Sequence, residues 1–180
     1  MSQKWIKVKL TPKEVDDCIR AGTHRFESNR NLNKPPSLRC KHTKPNDAVR
    51  DIEGIKGELA VANAFNSEYS VFEYGVDNGI DLWIGDLSVD VKVTTHLPQG
   101  KKEPHLLFPK SGKGLRADIA ILTILYQDNE ILIAGWLTKR LWDERKADFW
   151  YDPRDDAAPL SDLLPMYELW IEQINRRFKG

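Results

Sequence analysis

The alternation of apolar and polar residues between positions 80 and 94 constrains the fold more than any other feature. Every second residue in 80–84, and again in 87–93, is Ile, Leu or Val. A period of two predicts β-strands with one buried face, and the Gly85-Asp86 pair between the two runs is typical of a tight turn. The sequence therefore predicts an antiparallel hairpin of strands 80–84 and 87–95.

Weaker signals predict the elements around this hairpin. Thr11 and Glu14 form a capping box with Pro12 at the first helical position, which predicts a helix to about residue 28. Thr138 is expected to cap a short helix to about residue 146. The other predicted elements are strands 4–10, 69–74 and 105–109, helices 47–65 and 163–178, a second hairpin of 117–126 with 130–136, and loops 31–45, 97–116 and 150–159. This order predicts an α/β (α+β) fold with a central mixed β-sheet flanked by helices.

Size and composition favour one domain. The 180 residues are 41% hydrophobic and 30% charged, which is typical of a soluble globular domain spanning 1–180. Within it we expect a basic N-terminal extension (1–45), a core (46–136) and a C-terminal helical extension (137–180). No apolar run is long enough to cross a bilayer, so no membrane partner is expected. Cys18 and Cys40 are isolated in the sequence, which favours free thiols and a cytoplasmic location.

The charges balance to zero overall but are segregated along the chain. Residues 1–45 carry 11 Lys/Arg against 4 Asp/Glu, and residues 97–116 carry 5 against 1. Between them, residues 46–96 carry 3 against 10. An acidic centre between basic segments suits a protein that collects metal cations and phosphates at one place. Solvated faces and loops are the alternative explanation of such charge runs.

The polar face of the predicted hairpin contains two acids and a lysine. A two-residue turn at Gly85-Asp86 would pair Asp81 with Asp90, and cross-strand neighbours have Cβ atoms roughly 5 Å apart. Two like charges so close destabilise a sheet, and a divalent cation such as Mg²⁺ between them removes the conflict. Lys92 follows on the same face. The alternative is an amphipathic hairpin whose solvent face happens to contain these residues.

A third acid is expected on the preceding helix. Glu58 falls within an apolar stripe at helical spacing, where a carboxylate is costly unless it is paired or metal-bound. Gly54, four residues earlier on the same face, is expected to let the helix approach the sheet closely. An end-of-stripe glutamate that reaches solvent is the alternative. The stripe consists of Ile52, Ile55, Leu59, Ala62 and Phe65.

A helical Glu, then Asp, then Asp-x-Lys across a hairpin resembles the PD-(D/E)XK nuclease superfamily, which shares the restriction-endonuclease-like fold. The matching segments are 54–58, 79–81 and 89–94, within residues 47–96. The sequence departs from the pattern at Ile80, where the name-giving motif has Pro.

The resemblance implies hydrolysis of DNA phosphodiester bonds with Mg²⁺ or Mn²⁺. Asp81 and Asp90 would be direct metal ligands, with the backbone carbonyl of Val91 as a third. Glu58 would bind the metal or its water, and Lys92 would orient or activate the attacking water. We expect a DNA endonuclease, and the residues leave open RNA as substrate, exonucleolytic cleavage and a homodimeric state.

Two basic segments are expected to grip the DNA backbone through salt-sensitive phosphate contacts. Trp83 shares the polar face of the hairpin and is expected to pack against the Glu58 helix, with stacking on a base as the alternative. The candidate DNA contacts are Lys101, Lys102, His105, Lys110, Lys113 and Arg116 after the hairpin, and Arg39 and Lys41 before the Glu58 helix.

Two other functions remain open at this stage. One is a non-catalytic nucleic-acid-binding module of the same fold, and the other is an unrelated α/β interaction protein. Metal-dependent cleavage separates the nuclease from both, and salt-dependent DNA binding without cleavage would indicate the binding module.

Overall fold

The computed structural model describes residues 5–31, 47–72, 79–98, 103–109, 114–127, 129–149 and 155–177. In chain order the elements are β1 (Ile6–Lys9), α1 (Pro12–Asn31), α2 (Asp47–Phe65), β2 (Leu82–Ile84), β3 (Leu87–Thr94), β4 (His105–Pro109), β5 (Ile119–Leu125), β6 (Glu130–Thr138), α3 (Lys139–Arg145), β7 (Asp155–Pro159) and α4 (Met166–Arg177), with a 3-10 turn (Leu160–Asp162) before α4.

Five of the strands form one curled sheet in the spatial order β1-β6-β5-β3-β2. β3 and β5 run parallel, and the other neighbouring pairs are antiparallel. The remaining two strands, β4 and β7, pair antiparallel as a separate small sheet. The predicted mixed sheet flanked by helices is therefore confirmed at this coarse level.

The two faces of the large sheet are covered differently. On one face, Val61 of α2 and Met166 and Leu169 of α4 pack against apolar residues of the strands. On the other face, the small sheet and α3 pack against β5 and β6, with Phe108 and Trp142 among the buried residues. α1 lies against α2 and forms a third buried cluster with it. Glu58 of α2 and Asp90 of β3 are thus placed by a helix that packs on one face of a sheet covered on both faces at β5 and β6.

Several local predictions are confirmed by hydrogen bonds. Thr11 N donates to Glu14 Oε2 at 2.7 Å, and Glu14 N donates to Thr11 Oγ1 at 3.3 Å, which is the reciprocal capping box. Thr138 Oγ1 accepts from Leu141 N at 3.0 Å and caps α3. Both hairpins form, and the turn before β6 places Asn129 at a positive φ of 66°.

Two predicted elements are wrong, and a third begins later than predicted. Residues 69–72 are not a strand, because Val71 and Phe72 form a turn; residues 73 and 74 lie outside the described chain. The predicted acidic loop contains β7, whose pairing with β4 and burial of Ala157 and Ala158 override the local signal of its two acids. α4 begins at Met166 rather than at 163, because the 3-10 turn precedes it.

The tryptophans of the C-terminal part do not all lie in the core. Trp136 and Trp142 are buried, at 2% and 3% exposure. Trp170 is 47% exposed on the outer side of α4 and contacts Phe65 edge-to-face. Trp150 lies outside the described residues. Across the described residues, no helix combines the length and apolar character that a membrane span requires.

The close contact between α2 and the sheet occurs at Gly57 and not at the expected Gly54. A Cβ atom at Gly57 would collide with Val93 Cγ2 and would lie 2.8 Å from Thr123 Oγ1. A Cβ atom at Gly54 would meet nothing closer than Glu58 Oε1, at 3.9 Å. The glycine beside Glu58 therefore sets how near the glutamate backbone lies to β3.

These two glycines give a matched pair of stability predictions. Gly57→Ala should destabilise the protein by about 1–3 kcal/mol, because steric overlap with the sheet outweighs the gain in helix propensity. Gly54→Ala should stabilise it by up to about 1 kcal/mol, because space is available there. Urea unfolding of both variants measures the difference, and equal effects of the two substitutions would contradict the assigned contact.

Candidate functional site

Three carboxylates and one amine come from three elements of the fold. Glu58 lies on α2, Asp81 directly precedes β2, and Asp90 and Lys92 lie on β3. Glu58 and Asp90 are only 7% and 5% exposed. The alternative in which Glu58 reaches solvent is therefore excluded, and Glu58 lies in the buried stripe of α2. Buried carboxylates need compensation, and the contacts of each acid show where it comes from.

Asp81 lies at the open end of the hairpin, directly before β2. The ladder pairs Leu82 with Val89 and stops there. Asp81 N then donates to Val89 O at 2.8 Å, and Asp81 Oδ2 accepts from Val91 N at 2.6 Å. The carboxylate thus replaces the backbone acceptor that a longer β2 would provide. The expected ladder pairing of Asp81 with Asp90 does not form, because β2 begins at Leu82, two residues later than predicted.

The charge around Asp81 is dominated by other acids. Burial raises the pKa of Asp81 to about 8, with further increases from the negative charges of Glu58 and Asp90. The Val91 N–H and the Lys92 ammonium act in the opposite direction and are outweighed. The charges of two acids from different elements therefore both oppose ionisation of Asp81.

Asp90 and Lys92 form an ion pair on the side of β3 that faces the small sheet. Lys92 Nζ donates to Asp90 Oδ1. The same ammonium lies 5.6 Å from the centroid of the Phe108 ring on β4, within reach of a cation–π interaction. Thr123 Oγ1 donates to Lys92 O at 3.2 Å and fixes the backbone at this point. The lysine is thus held between an acid, an aromatic ring and a neighbouring strand.

Glu58 is contacted by two residues, Tyr69 and Arg25, that the sequence patterns did not identify as part of the site. The Tyr69 hydroxyl donates to Glu58 Oε2, and Arg25 Nη1 lies 3.7 Å from Glu58 Oε1. Burial and the nearby Glu58 charge raise the pKa of Tyr69 far above its usual range, so its hydroxyl remains a donor. Arg25 belongs to α1, so the N-terminal segment contributes directly to the surroundings of the site.

The acids approach from both sides of the sheet rather than from one polar face. α2 covers the side of Val91 and Val93, because Gly57 contacts both residues. Side chains alternate along a strand, so Asp90 and Lys92 point to the opposite side. Trp83 is 54% exposed and does not pack against the Glu58 helix as expected. Asp81 lies at the open end of the hairpin, and the negative charges of both Glu58 and Asp90 raise its pKa.

The remaining candidate residues are placed only in part. Arg116 is exposed, and its Cδ lies 3.4 Å from the position that a Cβ of Gly79 would occupy, two residues before Asp81. His105 begins β4 and is partly buried. The amide of Val91 is used by Asp81, and the role of its carbonyl stays a prediction. The candidate DNA contacts that lie outside the described residues are Lys101, Lys102, Lys110, Lys113, Arg39 and Lys41.

Among the described residues, no group of three or more His, Cys, Asp and Glu side chains is arranged to hold a metal ion. The contacts account for this finding in physical terms. Lys92 occupies an oxygen of Asp90, Val91 N occupies an oxygen of Asp81, and Tyr69 occupies an oxygen of Glu58. These bonds involve one of the two oxygens of each carboxylate.

Comparisons of the chain with models of protein families, with curated proteins and with solved structures give no match.

Proposed function

We propose that the chain is a Mg²⁺-dependent nuclease that hydrolyses DNA phosphodiester bonds, built on a restriction-endonuclease-like core. The observation that supports this most is the electrostatic convergence of Glu58 and Asp90 on Asp81, with Lys92 bound to one of these acids. A structural ion-pair network would pair acids with bases. Here Asp81 is acted on by the charges of two other acids, with Lys92 bound to Asp90 and Arg25 at 3.7 Å from Glu58.

The donor set fits a hard divalent cation. Carboxylate oxygens are the protein ligands that Mg²⁺ and Mn²⁺ prefer, and Mg²⁺ keeps several waters while it binds substrate phosphate. Asp81 and Asp90 are the proposed ligands, Val91 O the third, and Glu58 a ligand of the metal or of its water. Lys92 binds one oxygen of Asp90, and the other oxygen is the proposed ligand atom of the cation.

Each residue then has a defined task in phosphodiester hydrolysis. The bound cation would neutralise charge on the phosphate and lower the pKa of a water. Lys92 hydrogen-bonds the attacking water or the developing negative charge on the phosphate. Phe108 and Thr123 limit the positions that Lys92 can adopt. The buried Glu58 adds negative charge behind Asp81 and favours cation binding over an empty site.

The proposed DNA contacts are basic residues in the two segments that precede and follow these acids in the sequence. Arg116 is one of these residues, and it lies within the described part of the chain. It lies beside Gly79, two residues before Asp81. The expected contacts are to phosphates, so they give affinity without sequence preference. The acidic centre itself would repel DNA until a cation is bound, which makes binding metal-dependent.

One assay tests the proposed activity. Purified protein is incubated with supercoiled, linear, branched and single-stranded DNA, and with RNA, in Mg²⁺, Mn²⁺ or EDTA. We expect cleavage of at least one DNA substrate with either metal and none with EDTA. Salt-dependent binding without cleavage would instead favour the non-catalytic module, and the absence of both binding and cleavage would contradict the nuclease and the module together.

Neutralising Arg116 should weaken DNA binding and its dependence on salt. Loss of one phosphate contact lowers the slope of log affinity against log salt by about 1. Arg140→Gln is the matched control, because Arg140 is an exposed arginine of α3 paired with Glu144. Fluorescence anisotropy with labelled DNA over a salt series measures both slopes. Equal slopes for Arg116→Gln and Arg140→Gln would remove Arg116 from the interface.

A further inference from the structure

Tyr69 follows the end of α2 and places its ring and its hydroxyl in two different surroundings. The ring packs, partly buried, against the cluster between the sheet and α2 and against the cluster between α1 and α2. The hydroxyl donates to Glu58 Oε2. The packing and the hydrogen bond are therefore separable, because replacement by phenylalanine keeps the ring and removes only the donor.

The hydrogen bond acts on the most enclosed part of the candidate site. Glu58 is 7% exposed, and its second oxygen faces Arg25 Nη1 at 3.7 Å. A carboxylate between a hydroxyl donor on one oxygen and a guanidinium near the other has restricted rotation about its terminal bond. The Tyr69 hydroxyl and the Arg25 guanidinium therefore determine the direction in which the Glu58 carboxylate points.

We propose that Tyr69 is a positioning residue for Glu58, whose hydroxyl orients the carboxylate for binding a divalent cation together with Asp81. This inference rests on the proposed function, because it assigns Glu58 to the cation site. Partners that hydrogen-bond a ligating carboxylate fix its direction and its charge, and their loss usually weakens metal binding about 10-fold to 100-fold. Tyr69 makes no contact with substrate in this scheme.

The test compares Tyr69→Phe with Tyr167→Phe. Tyr167 is a matched control, because its hydroxyl also donates to a glutamate, Glu168 Oε1 at 3.2 Å, on the exposed side of α4. Mn²⁺ is the probe, and its dissociation constant is measured by calorimetry on the full chain. We expect about 10-fold or weaker Mn²⁺ binding for Tyr69→Phe and an unchanged value for Tyr167→Phe.

Kinetics separate positioning from general structural damage. In Tyr69→Phe, the Mg²⁺ concentration for half-maximal cleavage should rise about 10-fold, while the rate at saturating Mg²⁺ returns to within a few-fold of the wild-type rate. In a Glu58→Gln background, Tyr69→Phe should have no further effect on Mn²⁺ affinity, because the two residues act through one contact.

The outcomes distinguish the inference from the function on which it rests. Wild-type Mn²⁺ binding that Tyr69→Phe leaves intact would overturn the role of Tyr69 alone. Equal losses in the Glu58→Gln and wild-type backgrounds would do the same, because they would show that Tyr69 acts elsewhere. A wild-type chain that neither binds Mn²⁺ nor cleaves nucleic acid would overturn the proposed function and the inference together.

Discussion

Replacing Lys92 with alanine is expected to lower the cleavage rate at saturating Mg²⁺ by about 10²-fold to 10⁴-fold. The ammonium is the cation bound to Asp90. Its loss removes the group that orients the attacking water or stabilises charge on the phosphate. The cation ligands stay in place, so Mn²⁺ affinity should be retained.

Stability measurements distinguish this role from a structural one. Without metal, Lys92→Ala leaves Asp90, only 5% exposed, without its ion-pair partner, and the variant should unfold more easily. Saturating Mn²⁺ should restore most of that stability while the cleavage rate stays low. Lys13→Ala is the control, because Lys13 is an exposed lysine of α1 paired with Asp17. Cleavage by Lys92→Ala at the wild-type rate would exclude the catalytic role.

The hairpin and the burial of Glu58 could be predicted because their signals are local. A period of two and a Gly-Asp turn determine β2 and β3 within 15 residues, and an apolar stripe places Glu58 on the inner side of α2. The capping residues of α1 and α3 are equally local. Sequence alone identifies these features because neighbouring residues contain all the information.

The assembly of the site could not be predicted, because it depends on contacts between residues far apart in the chain. The alternation of β3 shows that Asp90 and Val91 face opposite ways, but not which face α2 covers. The choice follows from the fit of Gly57 to Val93 and Thr123, and it leaves Trp83 exposed. The sequence predicts a strand at Tyr69 that does not form, so the contact between Tyr69 and Glu58 could not be predicted.

β7 shows the same limit in the second sheet. Its sequence begins with two acids, which indicates a loop, yet the strand pairs along its whole length with β4. β4 in turn supplies Phe108 to the Lys92 ammonium. The wall of the candidate site on that side therefore depends on a pairing that links residues about 50 positions apart, and such pairings are the least accessible to local patterns.

Asp81→Asn is expected to stabilise the metal-free protein and to abolish its stabilisation by metal. Near neutral pH the ionised Asp81 is unfavourable in the folded state, because burial, Glu58 and Asp90 oppose its charge. Asparagine removes that charge and keeps an oxygen that can accept from Val91 N. We expect a gain of about 1–2 kcal/mol in EDTA, or roughly 2–8 °C in melting temperature for a domain of this size.

The pH dependence has a defined sign. The folded-state pKa of Asp81, about 8, lies above its ordinary value of 3.8. Between these two values the folded state binds more protons than the unfolded state, so the contribution of Asp81 to stability falls as pH rises through this window. Asp81→Asn should remove this part of the slope. Thermal unfolding in EDTA across the window measures it for both proteins.

Asp143→Asn should behave in the opposite way and serves as the control. Hydrogen bonds from Lys139 and Lys146 lower the pKa of Asp143, so its ionised form favours the folded state and its replacement should destabilise α3. With saturating Mn²⁺, the wild type and Asp143→Asn should both be stabilised by metal binding, whereas Asp81→Asn should not. The order of stability of the wild type and Asp81→Asn thus inverts when metal is added. The metal-binding proposal depends on the unfavourable charge of Asp81 beside Glu58 and Asp90. A lower melting temperature for Asp81→Asn than for the wild type in EDTA would show that this charge is not unfavourable.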